Sequence, residues 1–239
     1  MSGESGGMTK AAILALCLTS LASPAPAEER TLSVTTFDKV RVDGPYKVKV
    51  TTGASPFAKV SGSAAAIDGV KVDQQGQTLI IRPNSSSWGG SYPGQSRGPV
   101  EVSVGTPSLS TAWVNGAGSL AVDRIKGLSF NLSVQGSGAA AVGDTDVDQL
   151  SIGMAGSGTI SIAGKAPKLT AIVRGTSSLD ASALMVRDAT VGAEGPAQVR
   201  INASGTAKVD ARGVASVDIA GGAACTVKSE GSAIVTGCR

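Results

Sequence analysis

The feature of this sequence that most constrains its fold is a glycine-centred pattern that returns about every 20 residues. The segments VNGAGSLAV, VQGSGAAAV and MAGSGTISI follow one another at that interval. The aligned glycines are Gly116, Gly136, Gly156, Gly175 and Gly195, and the series continues at other spacings through Gly205, Gly221 and Gly231. A repeat of this length is typical of a solenoid, in which each unit buries its apolar side only against neighbouring units.

Within each repeat, apolar and polar residues alternate on both sides of the glycine. Phe130, Leu132 and Val134 precede Gly136 at every second position, for example, and the alternation resumes after the glycine. Since alternate side chains of a strand point to the same side, the pattern predicts half-buried strands joined at glycine-marked corners. We therefore predict an all-β protein, a single-stranded β-helix (β-solenoid) with about 20 residues per coil.

A β-sandwich is the main alternative, because it also consists of short alternating strands separated by turns. A sandwich has no physical reason to keep the same offsets around a glycine through the whole repeat series, whereas a solenoid does. We predict one solenoid domain over residues 36–238, whose looser first part, up to Asn84, forms the starting coils and cap. Residues 28–35 are predicted to be an N-terminal linker.

Residues 1–27 have the order of a secretory signal peptide. Lys10 precedes a short apolar run over residues 11–18, and Ala25-Pro26-Ala27 resembles a cleavage site. The run is too short to span a bilayer, so no transmembrane segment is expected after cleavage. A lipoprotein signal with Cys17 acylated is the alternative, which Leu16 in the preceding position disfavours.

Two cysteines, Cys225 and Cys238, remain after signal cleavage. An even pair in an exported protein predicts a disulfide, and here it would pin the last coil across the open end of the stack. The alternative is a pair of unlinked small apolar side chains.

A Ser- and Gly-rich loop, SSSWGGSYPGQSRG at residues 85–98, interrupts the alternation. It contains Trp88 and Tyr92, and aromatic side chains on a loop are effective anchors for sugars or protein partners. We therefore treat Trp88 and Tyr92 as candidate ligand-binding residues. The alternative is an insertion whose aromatic rings fold onto the side of the solenoid.

A signal followed by FDKVRVDGPYKVKVTTG, AKVSGSAAAIDGVKV and GSG-bearing repeats resembles the putative auto-transporter adhesin head, or GIN, domain family. The resemblance extends from about Thr36 to Cys238. It implies a single-stranded β-helix in a secreted or envelope protein of a Gram-negative bacterium, and it brings no catalytic residues.

Little in the chain suggests catalytic, metal or nucleic-acid chemistry. The sequence has no histidine, which excludes a Ser-His-Asp triad, and its net charge of +3 is scattered, so nucleic-acid binding is not expected. Asp144, Asp146 and Asp148 alternate and are a weak candidate for a hard-cation site, although a solvated turn is the commoner explanation. We predict no cofactor.

These observations favour a non-catalytic, exported scaffold, adhesin-like or envelope-binding, whose partner is a cell-surface, glycan or envelope component. The compartment is the periplasm or the cell surface. One alternative is a polysaccharide-active β-helix enzyme using charged side chains on one flank, for which the candidates are Arg174, Glu194, Arg200, Lys208 and Asp210. Another is a structural envelope protein that self-associates into a homo-oligomer.

Overall fold

The computed structural model describes Gly3 and residues 28–84 and 98–239. The predicted signal peptide, apart from Gly3, and residues 85–97 of the predicted loop therefore lie outside the described residues. The strands in chain order are β1 (Glu28–Leu32), β2 (Lys39–Asp43), β3 (Lys47–Thr52), β4 (Phe57–Gly62), β5 (Val70–Gln75), β6 (Thr78–Pro83), β7 (Glu101–Thr106), β8 (Thr111–Gly116), β9 (Ser119–Gly136), β10 (Ala139–Gly156), β11 (Thr159–Lys165), β12 (Lys168–Gly175), β13 (Ser178–Glu194), β14 (Gln198–Gly213), β15 (Ser216–Ala220), β16 (Ala224–Gly231) and β17 (Ile234–Thr236). A short helix, α1 (Ala64–Asp68), lies between β4 and β5.

Successive coils stack through parallel strand pairing that repeats at the interval of the glycine pattern. Leu132 in β9 pairs with Ile152 in β10, and Ile152 pairs with Ala171 in β12. Further along the chain Val191 in β13 pairs with Val209 in β14, at a slightly shorter interval. The predicted β-solenoid is confirmed, with about six turns at a spacing of about 20 residues.

Each coil has a long side, a short side and a middle side between them. In β9 the long side is residues 129–136, the short side is residues 119–122 and the middle side is residues 124–127, and the equivalent residues of β10 pair with all three. Towards the N-terminus, β8, β2 and β6 extend the long side, while β3 and β7 extend the short side. The inward side chains of the three sides form one apolar core.

The core consists of columns of equivalent inward residues, one from each coil. One column runs through Phe130, Leu150, Leu169, Ala189, Ala207 and Cys225. All of these are buried except Cys225, which is half-buried. The side chains in this column therefore become smaller towards the C-terminus, where the coils also become shorter. Because protein interiors are close-packed, smaller side chains mean a narrower core at that end.

A column of glycines forms the corner at the end of the long side. Gly156 has a φ of +117°, and a Cβ added there would lie 2.5 Å from the carbonyl oxygen of Gly136 on the neighbouring coil. Glycine is required because any side chain would meet the backbone of that coil. The predicted series from Gly116 to Gly195 lies in this column, each glycine against the preceding one.

The C-terminal part of the series differs from the sequence-based assignment. The column continues through Gly213, which the aligned series omitted, and reaches Gly231. Gly221 instead lies against Ala203, and Gly205 lies against Arg187, so both belong to a corner elsewhere on the coil. The short sequence spacings arise because glycine marks two corners of one coil in this region.

Antiparallel strands and a helix cover the N-terminal end. Strand β4 pairs with β7 and with β1, and β5 pairs with β6, all antiparallel. Ser63 caps α1 by accepting a hydrogen bond from the Ala66 amide, and Ala66 and Ile67 are buried. The prediction that residues 28–35 are a linker was wrong for Glu28–Leu32, which is an edge strand. Its side chains are mostly exposed, so backbone pairing forms this strand without an alternating apolar pattern.

At the C-terminal end, the predicted disulfide between Cys225 and Cys238 is present, with a Cα–Cα distance of 5.6 Å. Strands β16 and β17 each pair with a strand of the preceding coil. The disulfide ties the end of the chain to the half-buried inward position of β16. In the described part of the chain, no helix is both long enough and apolar enough to cross a membrane.

Asp73 provides a prediction about the pH dependence of stability at the N-terminal end. Arg82 donates a hydrogen bond from Nη2 to Oδ2 of Asp73 over 2.6 Å, and Lys71 Nζ lies 3.2 Å from Oδ1. These contacts, chiefly that with Arg82, hold the pKa of Asp73 below its ordinary value of 3.8. Because the native-state pKa is lowered, the ionised group stabilises the fold above pH 3.8, and this contribution disappears as the pH falls through the native pKa.

We therefore expect Asp73→Asn to be less stable than the wild type at neutral pH, with the difference closing in acid. Urea denaturation at neutral and acidic pH measures both free energies of unfolding. Asp148→Asn, at an exposed position, is the control. If Asp73→Asn is less stable than the wild type by the same amount at both pH values, the pKa of Asp73 is not lowered in the native state.

Candidate functional site

An indole ring on the outer surface of the long side is the centre of the candidate site. Trp113 lies in β8 between Ala112 and Val114, whose side chains are buried in the core. Strand alternation therefore directs Trp113 outwards, where it is half-buried. Sequence analysis missed this residue, although the outward position of a tryptophan in TAWVNG was a readable signal.

Strand pairing brings residues from distant parts of the chain beside Trp113. Arg41 of β2 pairs with Trp113, and Asp43 pairs with Asn115. On the next coil, Gln135 pairs with Asn115. With Gln75, these residues line a cavity of about 860 Å³, which we call the Trp113 groove.

A charged pair and an amide hold the polar side of the Trp113 groove in place. Arg41 donates from Nε to Oδ1 of Asp43 over 2.9 Å. Asn115 donates from Nδ2 to the same oxygen over 2.7 Å. Because the carboxylate is neutralised by the guanidinium and oriented by the amide, the groove presents fixed hydrogen-bonding groups with little net charge.

The chemistry of the Trp113 groove suits a ligand with both apolar and hydroxyl-bearing surfaces. An indole offers a wide apolar face together with an N–H donor. The carboxylate, guanidinium and amide groups beside it can fix the orientation of a bound molecule. Sugars present C–H faces for the ring and hydroxyl groups for such polar partners.

A second, shallower cavity of about 280 Å³ meets the first at Trp113. It extends along the long side past Ser133 and Gly153 to Ile172. The two cavities therefore form one surface feature that crosses several coils.

The aromatic residues predicted to bind a ligand, Trp88 and Tyr92, lie outside the described residues. Ligand binding by the loop at residues 85–98 stays a prediction.

The three aspartates considered for a cation face outwards from β10, where they alternate with the buried Thr145 and Val147. Asp144 lies 3.6 Å from Arg124, and Asp146 lies 3.3 Å from Lys165. Among the described residues there is no group of three or more side chains placed to hold a metal ion. We propose no metal site at Asp144, Asp146 and Asp148.

The charged residues considered for a polysaccharide-active enzyme are only partly brought together. Arg174, Glu194 and Asp210 line one cavity of about 170 Å³, whereas Arg200 lies on the short side, where it pairs with Asp180 and Asp218. Glu194 is 3.2 Å from Arg174, and Asp210 is 3.0 Å from Arg212. Each carboxylate of this cavity is thus engaged by an arginine, as in a ladder of surface ion pairs.

Comparison with known proteins gives one family and a set of related folds. The family described as "Putative auto-transporter adhesin, head GIN domain" matches residues 36–223. No curated protein matches the chain.

Several solved structures share the fold at low sequence identity. A putative adhesin from Bacteroides fragilis NCTC 9343 has a TM-score of 0.77 and 14% identity, covering 89% of this chain and 96% of its own. A putative lipid binding protein from Parabacteroides distasonis ATCC 8503 has a TM-score of 0.66 and 18% identity, with coverages of 87% and 95%. A putative adhesin from Parabacteroides merdae ATCC 43184 has a TM-score of 0.60 and 16% identity, with the same coverages.

Proposed function

Because this chain belongs to the putative auto-transporter adhesin, head GIN domain family, and is an adhesin-like β-solenoid, we propose that it is an exported, non-catalytic protein that binds a cell-surface or envelope glycan. The observation that carries the proposal is the Trp113 groove. An outward-facing indole there adjoins the Arg41–Asp43 pair and two side-chain amides, those of Asn115 and Gln135.

Export is supported by the sequence of residues 1–27 and by the disulfide. Disulfides persist in the periplasm and outside the cell, whereas thiols are kept reduced in the cytosol. A repetitive scaffold also suits adhesion, since stacked coils present an extended, rigid surface on which a partner can bind.

The binding test compares the wild type with Trp113→Ala on immobilised glycans and isolated bacterial envelopes. Tryptophans at the centre of an interface commonly contribute about 2 kcal/mol or more, so we expect a loss of affinity of about 30-fold or greater. Because the side chain points out of the core, the variant should keep its far-ultraviolet circular dichroism spectrum and its melting temperature.

Trp88→Ala is the matched control, since it removes the other tryptophan of the chain. With the site in the Trp113 groove, its affinity should equal that of the wild type. If Trp113→Ala binds with the affinity of the wild type, the Trp113 groove is not the binding site. Loss of binding in Trp88→Ala alone would move the site to the loop at residues 85–98.

A further inference from the structure

The second cavity extends the Trp113 groove in the direction in which the coils stack. Trp113 pairs with Ser133, Ser133 with Gly153, and Gly153 with Ile172. Neighbouring strands are about 4.8 Å apart, so Trp113 and Ile172 are separated by about 14 Å along the solenoid axis. The depression is therefore elongated, with a large side chain at each end.

Gly153, between these ends, is not required by the fold. A Cβ added at Gly153 would meet nothing nearer than Ser133 Oγ at 3.9 Å, and its φ lies outside the left-handed region. Gly156, three positions later, would instead bring a Cβ against backbone. Glycine inside a strand weakens it and often marks a position where a ligand or another backbone approaches closely. What glycine provides at position 153 is open space above the strand.

One wall of the depression offers a hydrogen-bonding group on every coil. Thr111, Asn131, Ser151 and Thr170 occupy equivalent positions on four successive strands. None of the described residues that line the second cavity carries a charged side chain. Ion pairs flank its two ends, Arg41 with Asp43 beside Trp113 and Arg174 with Glu194 beside Ile172. The surface thus matches an uncharged, hydroxyl-rich ligand.

We infer that this depression binds a linear, neutral polysaccharide whose chain runs parallel to the solenoid axis, from the Trp113 groove towards Ile172. The inference rests on the proposed function and specifies the ligand of the same site. A sugar ring stacks on the Trp113 indole. The following sugars lie over Ser133 and Gly153 and exchange hydrogen bonds with the row that begins at Thr111.

The test is the dependence of affinity on chain length. Isothermal titration calorimetry compares disaccharides with hexasaccharides from cello-, manno- and chito-oligosaccharide series. For at least one series, the wild type should bind the hexasaccharide at least tenfold more tightly than the disaccharide. Gly153→Ile, which fills the depression with the side chain present at Ile172, should abolish this gain with chain length.

Gly127→Ile is the matched control, because Gly127 likewise has room for a side chain, with nothing within 4 Å of an added Cβ, and lies away from the depression. It should keep the full gain with chain length. An undiminished gain in Gly153→Ile overturns the inference, as does absence of binding by every neutral series or tighter binding of polygalacturonate. If Trp113→Ala loses glycan binding but the affinity of the wild type does not depend on oligosaccharide length, the proposed function stands and the inference of an extended polysaccharide site is wrong.

Discussion

Replacing Gly156 with valine should lower the free energy of unfolding by about 2–4 kcal/mol, because two separate costs add at this position. The residue has a φ of +117°, which side-chain-bearing residues rarely adopt. Its Cβ would also lie 2.5 Å from the carbonyl oxygen of Gly136, so the stacked corners would have to separate. Urea denaturation followed by circular dichroism measures the difference.

Gly153→Val is the matched control for that measurement. It lies in the same strand, has an unstrained φ and has room for a side chain. We expect its stability to equal or slightly exceed that of the wild type, since β-branched residues favour strands over glycine. Equal destabilisation by the two substitutions would show that loss of glycine, and not its position in the column, is what matters.

Truncating Phe130 to alanine should cost about 3–5 kcal/mol of stability. The ring is fully buried and is the largest member of its core column, with Leu150 as its neighbour on the next coil. Neighbouring coils are joined by backbone pairing, so they cannot close around the space that the ring leaves. The cavity term therefore adds to the lost burial of the ring.

Leu128→Ala, two residues earlier, provides the comparison. The Leu128 side chain is 79% exposed, so its removal should change the free energy of unfolding by less than about 0.5 kcal/mol. Thermal and urea denaturation of both variants measure the contrast. Comparable destabilisation would contradict the assignment of Phe130 to the inside of the coil and Leu128 to the outside.

Much of the fold was predictable because strands have a period of two and the coils have a nearly constant length. The alternation that ends at Val134 predicted which residues of β9 face inwards, and the glycine spacing predicted which coils are neighbours. The cysteine pair was predictable from the predicted export signal and the even number of cysteines that remain after it. These features depend on local or regularly repeated contacts.

The candidate site was not predictable in the same way. Arg41 and Trp113 lie far apart in the sequence, and β2 pairs directly with β8 although β3 to β7 lie between them along the chain. The N-terminal coils have no regular glycine interval, so this pairing could not be derived from spacing. Trp88 drew attention because it lies in a segment that interrupts the alternation, whereas Trp113 lies in a segment that follows it. Self-association and the cellular compartment stay predictions.

Because the core tapers, the coils at the C-terminal end separate more easily than those around Phe130. Coils around Phe130 bury large side chains, whereas the last coils contribute Ala207 and the half-buried Cys225 to the same column. In a stack held by nearest-neighbour contacts, fluctuations begin at the end with the least buried area. The Cys225–Cys238 bond lies at that end and limits how far it can unravel. The Trp113 groove lies on the coils that bury large side chains, so local opening at the C-terminal end should leave its geometry unchanged.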